Sequence, residues 1–139
     1  MDSRLSVSVL AITLCFAMIS LVIMFLTARS DTFVFAQGNS SFISIVPGAS
    51  SPNSPIFFSP NSTRIHIGGL ATWTNHDVNI HTVTSGIFNT GNTGPDPFDS
   101  GVINSGGNFT HRFTVPYTYN YYCRIHPFMT GRIIVNSLV

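Results

Sequence analysis

The chain has 139 residues, 44% of them apolar, and a net charge of +1 from six Arg against five Asp, with no Lys and no Glu. That length suits one domain. So few charges leave no basic patch able to hold a phosphate backbone, which excludes nucleic-acid binding, and they steer weakly at long range, so apolar contact is the expected mode of meeting a partner.

Leu5 to Ala28 reads LSVSVLAITLCFAMISLVIMFLTA, 24 residues without a charge. A membrane-spanning helix takes about 20 apolar residues and a signal-peptide core roughly 7–15, so the length favours one N-terminal transmembrane helix. Val34-Phe35-Ala36 is a candidate cleavage site, and cleavage after Ala36 would release a secreted form. Arg4 and Arg29 flank the span on opposite sides, so the positive-inside rule does not set its orientation. The expectation is a membrane anchor or signal segment over residues 1–36 and a domain over residues 37–139. That domain is expected on the extracytoplasmic side, periplasm-like or extracellular.

Beyond the span, Phe42 to Val46 alternates with β-branched residues and predicts a strand. Pro47 to Pro55 is a loop on its Pro, Gly and Ser content. Ile56-Phe57-Phe58 is a short apolar run. Thr63 to Ile67 alternates, Gly68-Gly69 turns, and Leu70 to Thr74 resumes as a strand. Ile80 to Thr84 predicts another, and Ser85 to Gly101 is a long irregular connection. Asn108 to Val115, Tyr119 to Cys123 and Arg132 to Val135 complete the pattern, with Gly131 expected to turn the chain into the last of them. No window here has helical periodicity over ten residues. Short strands between turns predict an all-β sandwich or barrel. Trp73, Tyr119, Tyr121 and Tyr122 read as core and strand residues. The sequons at Asn39, Asn61 and Asn108 suit an exported domain but arise easily by chance.

Of the two cysteines, Cys15 lies in the apolar span and Cys123 in the domain, so they do not form a disulfide. An exported domain with one unpaired thiol needs a reason for it, and metal ligation supplies one. Cys123 is followed by His126 and Met129 at three-residue intervals, and His81 lies 42 residues upstream. One thiolate, two imidazoles and a weak axial thioether are the donors of a blue-copper electron-transfer site: thiolate and thioether suit Cu(I), and imidazole suits both oxidation states. Each residue has a plainer reading. Met129 can fill a core, and His81, like His66, His76 or His111, can be an ordinary strand histidine. The full C-x-x-H-x-x-M run before a Gly and a closing strand points to the metal.

The stretch from Ser41 to Asn136 resembles the cupredoxins. The likeness is to the plastocyanin and amicyanin group with the membrane-anchored halocyanin-like proteins. It runs through Ile45-Val46-Pro47-Gly48, Phe58-Ser59-Pro60, Trp73 to Asp77, His81 to Gly86, Phe98 to Gly101, and Tyr119 to Cys123 into the ligand loop. The short His-x-x-Met spacing, with Pro127 after the histidine, is amicyanin-like. The resemblance implies an eight-stranded Greek-key sandwich. It also implies one copper ion held by His81, Cys123, His126 and Met129, and no enzymatic activity. It implies an electron port at His126, with redox partners docking near His126, Pro127 and Phe128. The chain departs from the pattern at three places. Thr82 stands where many members carry an Asn that ties the ligand loops together. Arg124 stands where a small hydroxyl residue is usual, a cation expected to raise the reduction potential. Tyr117 stands where a turn Gly is frequent, so a different turn is expected there.

The function expected is a one-electron carrier between membrane-associated redox partners, attached through residues 5–28. Two alternatives share the ligands: a copper chaperone or store, and a type 1 copper subunit of a larger oxidase. A dinuclear copper centre would need a second thiolate four residues before Cys123, where Tyr119 stands. A hydrolase finds no G-x-S-x-G and no Glu.

Overall fold

A computed structural model describes residues 39–137, so the expected anchor over residues 1–36 lies outside the described residues. Eight strands are present: β1 (Ser40–Ile45), β2 (Phe58–Ser59), β3 (Ser62–His66), β4 (Leu70–Asn75), β5 (Thr84–Ser85), β6 (Asn108–Arg112), β7 (Tyr117–Tyr122) and β8 (Thr130–Asn136). They form two four-stranded sheets, in the orders β2-β1-β4-β6 and β3-β8-β7-β5. Every connection between β2 and β7 changes sheet, which ties the layers together. The β1/β4 and β3/β8 pairs are parallel, and the other pairs are antiparallel. The expected all-β sandwich is present.

Period-2 alternation aims one face of each long strand inward. Ile43 and Ile45 of β1, Ala71 and Trp73 of β4, Tyr119 and Tyr121 of β7, and Ile133 and Val135 of β8 are all buried. Trp73 meets Tyr121 of the opposite sheet edge-on, ring centroids 5.3 Å apart, and Tyr121 meets Phe58 at 4.9 Å. Such aromatic pairs add about 1 kcal/mol each beyond the area they bury. Tyr122, at the end of β7, is half-buried beside Phe88. Tyr117 opens β7 and lies against Tyr119, whose hydroxyl donates to the Val115 carbonyl at 3.0 Å and so closes the turn before the strand.

Two expectations need correction. The strand over Ile80 to Thr84 is not continuous: His81 forms an isolated bridge with Ile103, and regular pairing begins only at Thr84. His81, Thr82 and Val83 are buried in succession, because this segment is flanked on both sides and has no solvent face to alternate with. Its amides go instead to the Ile103 carbonyl, the Cys123 sulfur and the Ser100 hydroxyl. Gly131, for its part, lies inside β8, opposite Tyr121, and does not turn the chain. A Cβ there would overlap the Tyr121 ring and hydroxyl, so glycine is the residue that lets this ring lie across the strand.

The segment Cys123 to Met129, which carries three of the expected ligands, is the loop of the β7–β8 hairpin, which begins where Tyr122 pairs with Thr130. Three other loops gather at the same end, around Gly48 to Phe57, Asp77 to Thr82 and Asp99 to Ile103, and side-chain bonds tie them together.

Gly131→Ala is expected to lower unfolding stability by about 2 kcal/mol, the scale of an overpacked core. Chemical denaturation checks this, and a loss under about 0.5 kcal/mol would contradict the packing described.

Candidate metal centre

The ligand loop is held by its backbone. The Cys123 amide donates to the Met129 carbonyl at 3.1 Å, and the Met129 amide to the His126 carbonyl at 2.9 Å. Cys123 and Met129 are fully buried, and His126 is half-buried. His81 arrives from the other side of the sandwich end, also fully buried. Donor atoms of His81, Cys123 and His126 all lie within 4.8 Å of one another, with the Cys123 Sγ 3.8 Å from the His81 Nδ1 and 3.7 Å from the His126 Nδ1. Among the described residues this is the one such cluster of His, Cys or Asp. The structure thus brings three of the predicted ligands together and buries Met129 at the foot of the same loop. His66 and His76 are exposed elsewhere, and His111 is packed among Phe98, Phe109 and Phe113.

His81 is fixed by a residue to which the sequence reading assigned no role. Its Nε2–H donates to Asp77 Oδ2 at 2.9 Å, which turns Nδ1 toward the sulfur. Asp77 is itself buried, and it accepts backbone N–H bonds from Gly48 (3.0 Å), Ser50 (3.1 Å) and Val78 (2.8 Å). The buried Asn75 shapes this loop: its Oδ1 accepts from the Asp77 amide, and its Nδ2 donates to the Asn79 and Ile103 carbonyls. The signal in the sequence was an acid four residues before a ligand histidine. Its meaning depends on Gly48 and Ser50, nearly thirty residues upstream.

Thr82 takes over the tie between the two ligand loops. Its Oγ1 accepts from the Arg124 amide at 2.8 Å, and its backbone N–H donates to the Cys123 Sγ at 3.3 Å. A hydroxyl therefore bridges the strand side and the loop side without the larger amide. Arg124 is not an isolated cation. Its guanidinium pairs with the Asp99 carboxylate, the two being 58% and 38% exposed, so the local charge is close to neutral.

Electrostatics favour a cation between these groups. Burial alone would push the Cys123 thiol up, but His81, the Thr82 amide and His126 more than offset that and hold it down at about 6. Burial alone would raise the Asp77 carboxyl too, yet the His81 ring N–H and the backbone donors hold it well below the usual carboxylate range. For His81, burial works against protonation, while the Cys123 sulfur and Asp77 outweigh it and raise its pKa. Without metal, the pair therefore tends to thiolate and imidazolium. A metal cation takes the place of that proton, so binding weakens as pH falls through the range where His81 protonates. The donor set, soft sulfur with two imidazoles in a buried pocket, fits copper better than the thiolate- or imidazole-rich closed sites typical of structural zinc.

Residues 47–136 match the family model described as copper binding proteins, plastocyanin/azurin family. The chain is 30% identical over 112 residues to amicyanin-alpha of Methylorubrum extorquens, covering 79% of this chain and 92% of that protein. A structure described as a novel purple cupredoxin from Nitrosopumilus maritimus superposes with a TM-score of 0.63 at 33% identity, over 69% of this chain and 99% of that one. A reduced Cu(I) amicyanin mutant superposes with a TM-score of 0.55 at 22% identity, over 70% of this chain and 82% of that one, which bears on the fold alone.

Asp77→Ala leaves the His81 Nε2–H and three backbone donors without an acceptor. Copper affinity, read by competition with a chelator, should fall about 10- to 100-fold, the usual cost of losing the partner of a ligating histidine. Unchanged affinity would show that Asp77 does not orient His81.

Proposed function

This chain belongs to the plastocyanin/azurin family of copper-binding proteins, and we propose that it carries single electrons between membrane-associated redox partners, with His81, Cys123, His126 and Met129 holding its copper. It is a type 1 copper electron carrier of the amicyanin kind, not an enzyme. The observation that carries the assignment of ligands is the convergence of the His81, Cys123 and His126 donor atoms within 4.8 Å. Copper bound there supplies the one-electron chemistry, alternating between Cu(II) and Cu(I).

The residues around it keep the pocket the same for both states. Asp77 stops the His81 ring from turning, Thr82 joins the two loops, and the backbone closes the Cys123 to Met129 turn. Little reorganisation makes each transfer fast. Full burial of His81 and Cys123 favours retention of metal over release, which supports a carrier over a chaperone. His126, the half-exposed ligand, is the port. Its rim is apolar: Phe128 is 39% exposed, lies 5.8 Å from the His126 ring and packs on Phe57 at 5.3 Å, and Ile125 is 42% exposed. Exposed apolar surface of this kind suits brief docking of a redox partner. The uncharged span at residues 5–28 supports attachment to a membrane, and the extracytoplasmic side is adopted because a single N-terminal span usually leaves the following domain there. The same span supports a place beside the membrane-anchored halocyanin-like proteins, while the short ligand loop is amicyanin-like.

The test is addition of Cu(II) to the metal-free protein, with Cys123→Ser alongside. Intense visible absorption with narrow copper hyperfine splitting is expected, bleached by reductant and missing in the variant. An ordinary copper spectrum would overturn the reading. The charge pair beside the site makes a second prediction. Arg124→Ser should lower the reduction potential by leaving Asp99 uncompensated, and Arg124→Ser with Asp99→Asn should restore it. Voltammetry that finds the two variants alike would contradict the pairing.

A further inference from the structure

The chain is nearly neutral, but its topology does not spread the charge evenly. Among the described residues there are three acids, and each is already engaged: Asp77 by His81 and the backbone, Asp96 by Thr114 and His111, and Asp99 by Arg124. Of the arginines, Arg124 is engaged by Asp99 and Arg112 by the Gly68 carbonyl. Arg132 donates through Nε to the Ser62 hydroxyl of the neighbouring strand at 3.2 Å. Arg64, Arg112 and Arg132 therefore all lack a carboxylate partner among the described residues, and the two that share a sheet are Arg64 and Arg132. Both are exposed. They lie on adjacent strands: β3 and β8 pair with Ser62 opposite Arg132 and Arg64 opposite Ile134, so the two guanidiniums are diagonal neighbours on one outward face. The four strands of that sheet contain two Arg, one His and no acid. The expectation of weak steering therefore holds for net charge but not for this face.

The face leads to the metal. An open groove of about 410 Å³ on this face is lined by Arg132, Asn120, Ile87, Phe88 and Pro127 among others. Pro127 follows His126 directly. Ile87 and Phe88 are 50% and 45% exposed, so a partner seated here would cover apolar surface and meet Arg132, with Arg64 on the adjoining strand within reach of the same partner.

We infer that this groove and the Arg64–Arg132 face form the docking surface for an acidic redox protein, whose carboxylates meet the two guanidiniums. The inference rests on the electron-carrier reading above and names the chemistry of the partner. Planar guanidiniums suit carboxylates through paired hydrogen bonds. Two cations are too few for a nucleic-acid backbone, which engages about 6–10 phosphates, or for an anionic lipid surface, which is recognised by clusters of about 4–8 Lys or Arg.

The experiment uses the full chain in neutral detergent. Electron exchange of the copper-loaded protein is timed against two forms of one haem protein: cytochrome c with its lysines succinylated, and the unmodified basic cytochrome. At low salt the succinylated form should react about tenfold faster. That advantage should vanish near 0.5 M salt, where the screening length is about 4 Å. It should also vanish in Arg64→Gln/Arg132→Gln, while Arg112→Gln on the opposite sheet keeps it. A second readout does not depend on copper: succinylated cytochrome should shift the amide NMR signals of β3 and β8 in the metal-free chain. An equal or faster reaction with unmodified cytochrome, or an advantage that survives in the double variant, would overturn the inference. So would binding to anionic phosphatidylglycerol vesicles, lost in the double variant, with no preference between the cytochromes. If both cytochromes exchange electrons equally and no NMR signals move, the docking surface fails and the carrier stands. If NMR signals move but neither cytochrome exchanges electrons, the surface stands and the carrier reading fails.

Discussion

The site depends on one buried carboxylate. Asp77 accepts four hydrogen bonds, one from the ring of His81, the histidine proposed to hold copper, and three from backbone amides of two loops. A buried charge is tolerated only where donors surround it, and here they do. The arrangement works in both directions. The loops around Gly48 and Val78 keep the carboxylate in place, and the carboxylate keeps His81 from rotating off the sulfur. Without it, the pocket would hold a mobile imidazole and a set of unsatisfied amides.

The rest of the sandwich serves to bring these loops to one end. Sheet changes at every connection from β2 to β7 join the two layers, and the Trp73–Tyr121–Phe58 contacts fill the space between them. The β7–β8 hairpin then presents Cys123 to Met129 as a short loop with both ends in register. Thr82 joins that loop to the His81 segment through one hydroxyl and one amide. Rigidity in this centre therefore comes from hydrogen bonds at the loop end and aromatic packing below it, with few charges in either. Arg124 is neutralised by Asp99, while Arg64 and Arg132 share one sheet whose strands hold no acid, which gives that sheet a sign.

Much of this was legible in the sequence because it is local. Alternation over Leu70 to Thr74 and Arg132 to Val135 marks strands whose one face is buried, and the three-residue spacing of Cys123, His126 and Met129 marks a turn that can gather donors. Where alternation failed, the cause was burial on both sides, as at His81 to Val83. Gly131 was read as a turn because its true neighbour, Tyr121, is met only across the hairpin. Asp77 and Asp99 were visible as scarce acids, but their roles depend on Gly48, Ser50 and Arg124, which come near only after folding. Thr82 stands where an Asn tie is usual, and its hydroxyl makes the tie by accepting from the Arg124 amide, a contact that exists only once the two loops meet.

The central claim is that the protein, and not the metal, sets the geometry of the pocket. Crystal structures of the metal-free, Cu(I) and Cu(II) forms test it most directly. The account predicts that the His81 ring, its bond to Asp77 and the Cys123 sulfur superpose across all three forms within about 0.5 Å, the tolerance of a preorganised site. A metal-free form in which His81 leaves Asp77, or the Cys123 loop opens, would contradict it.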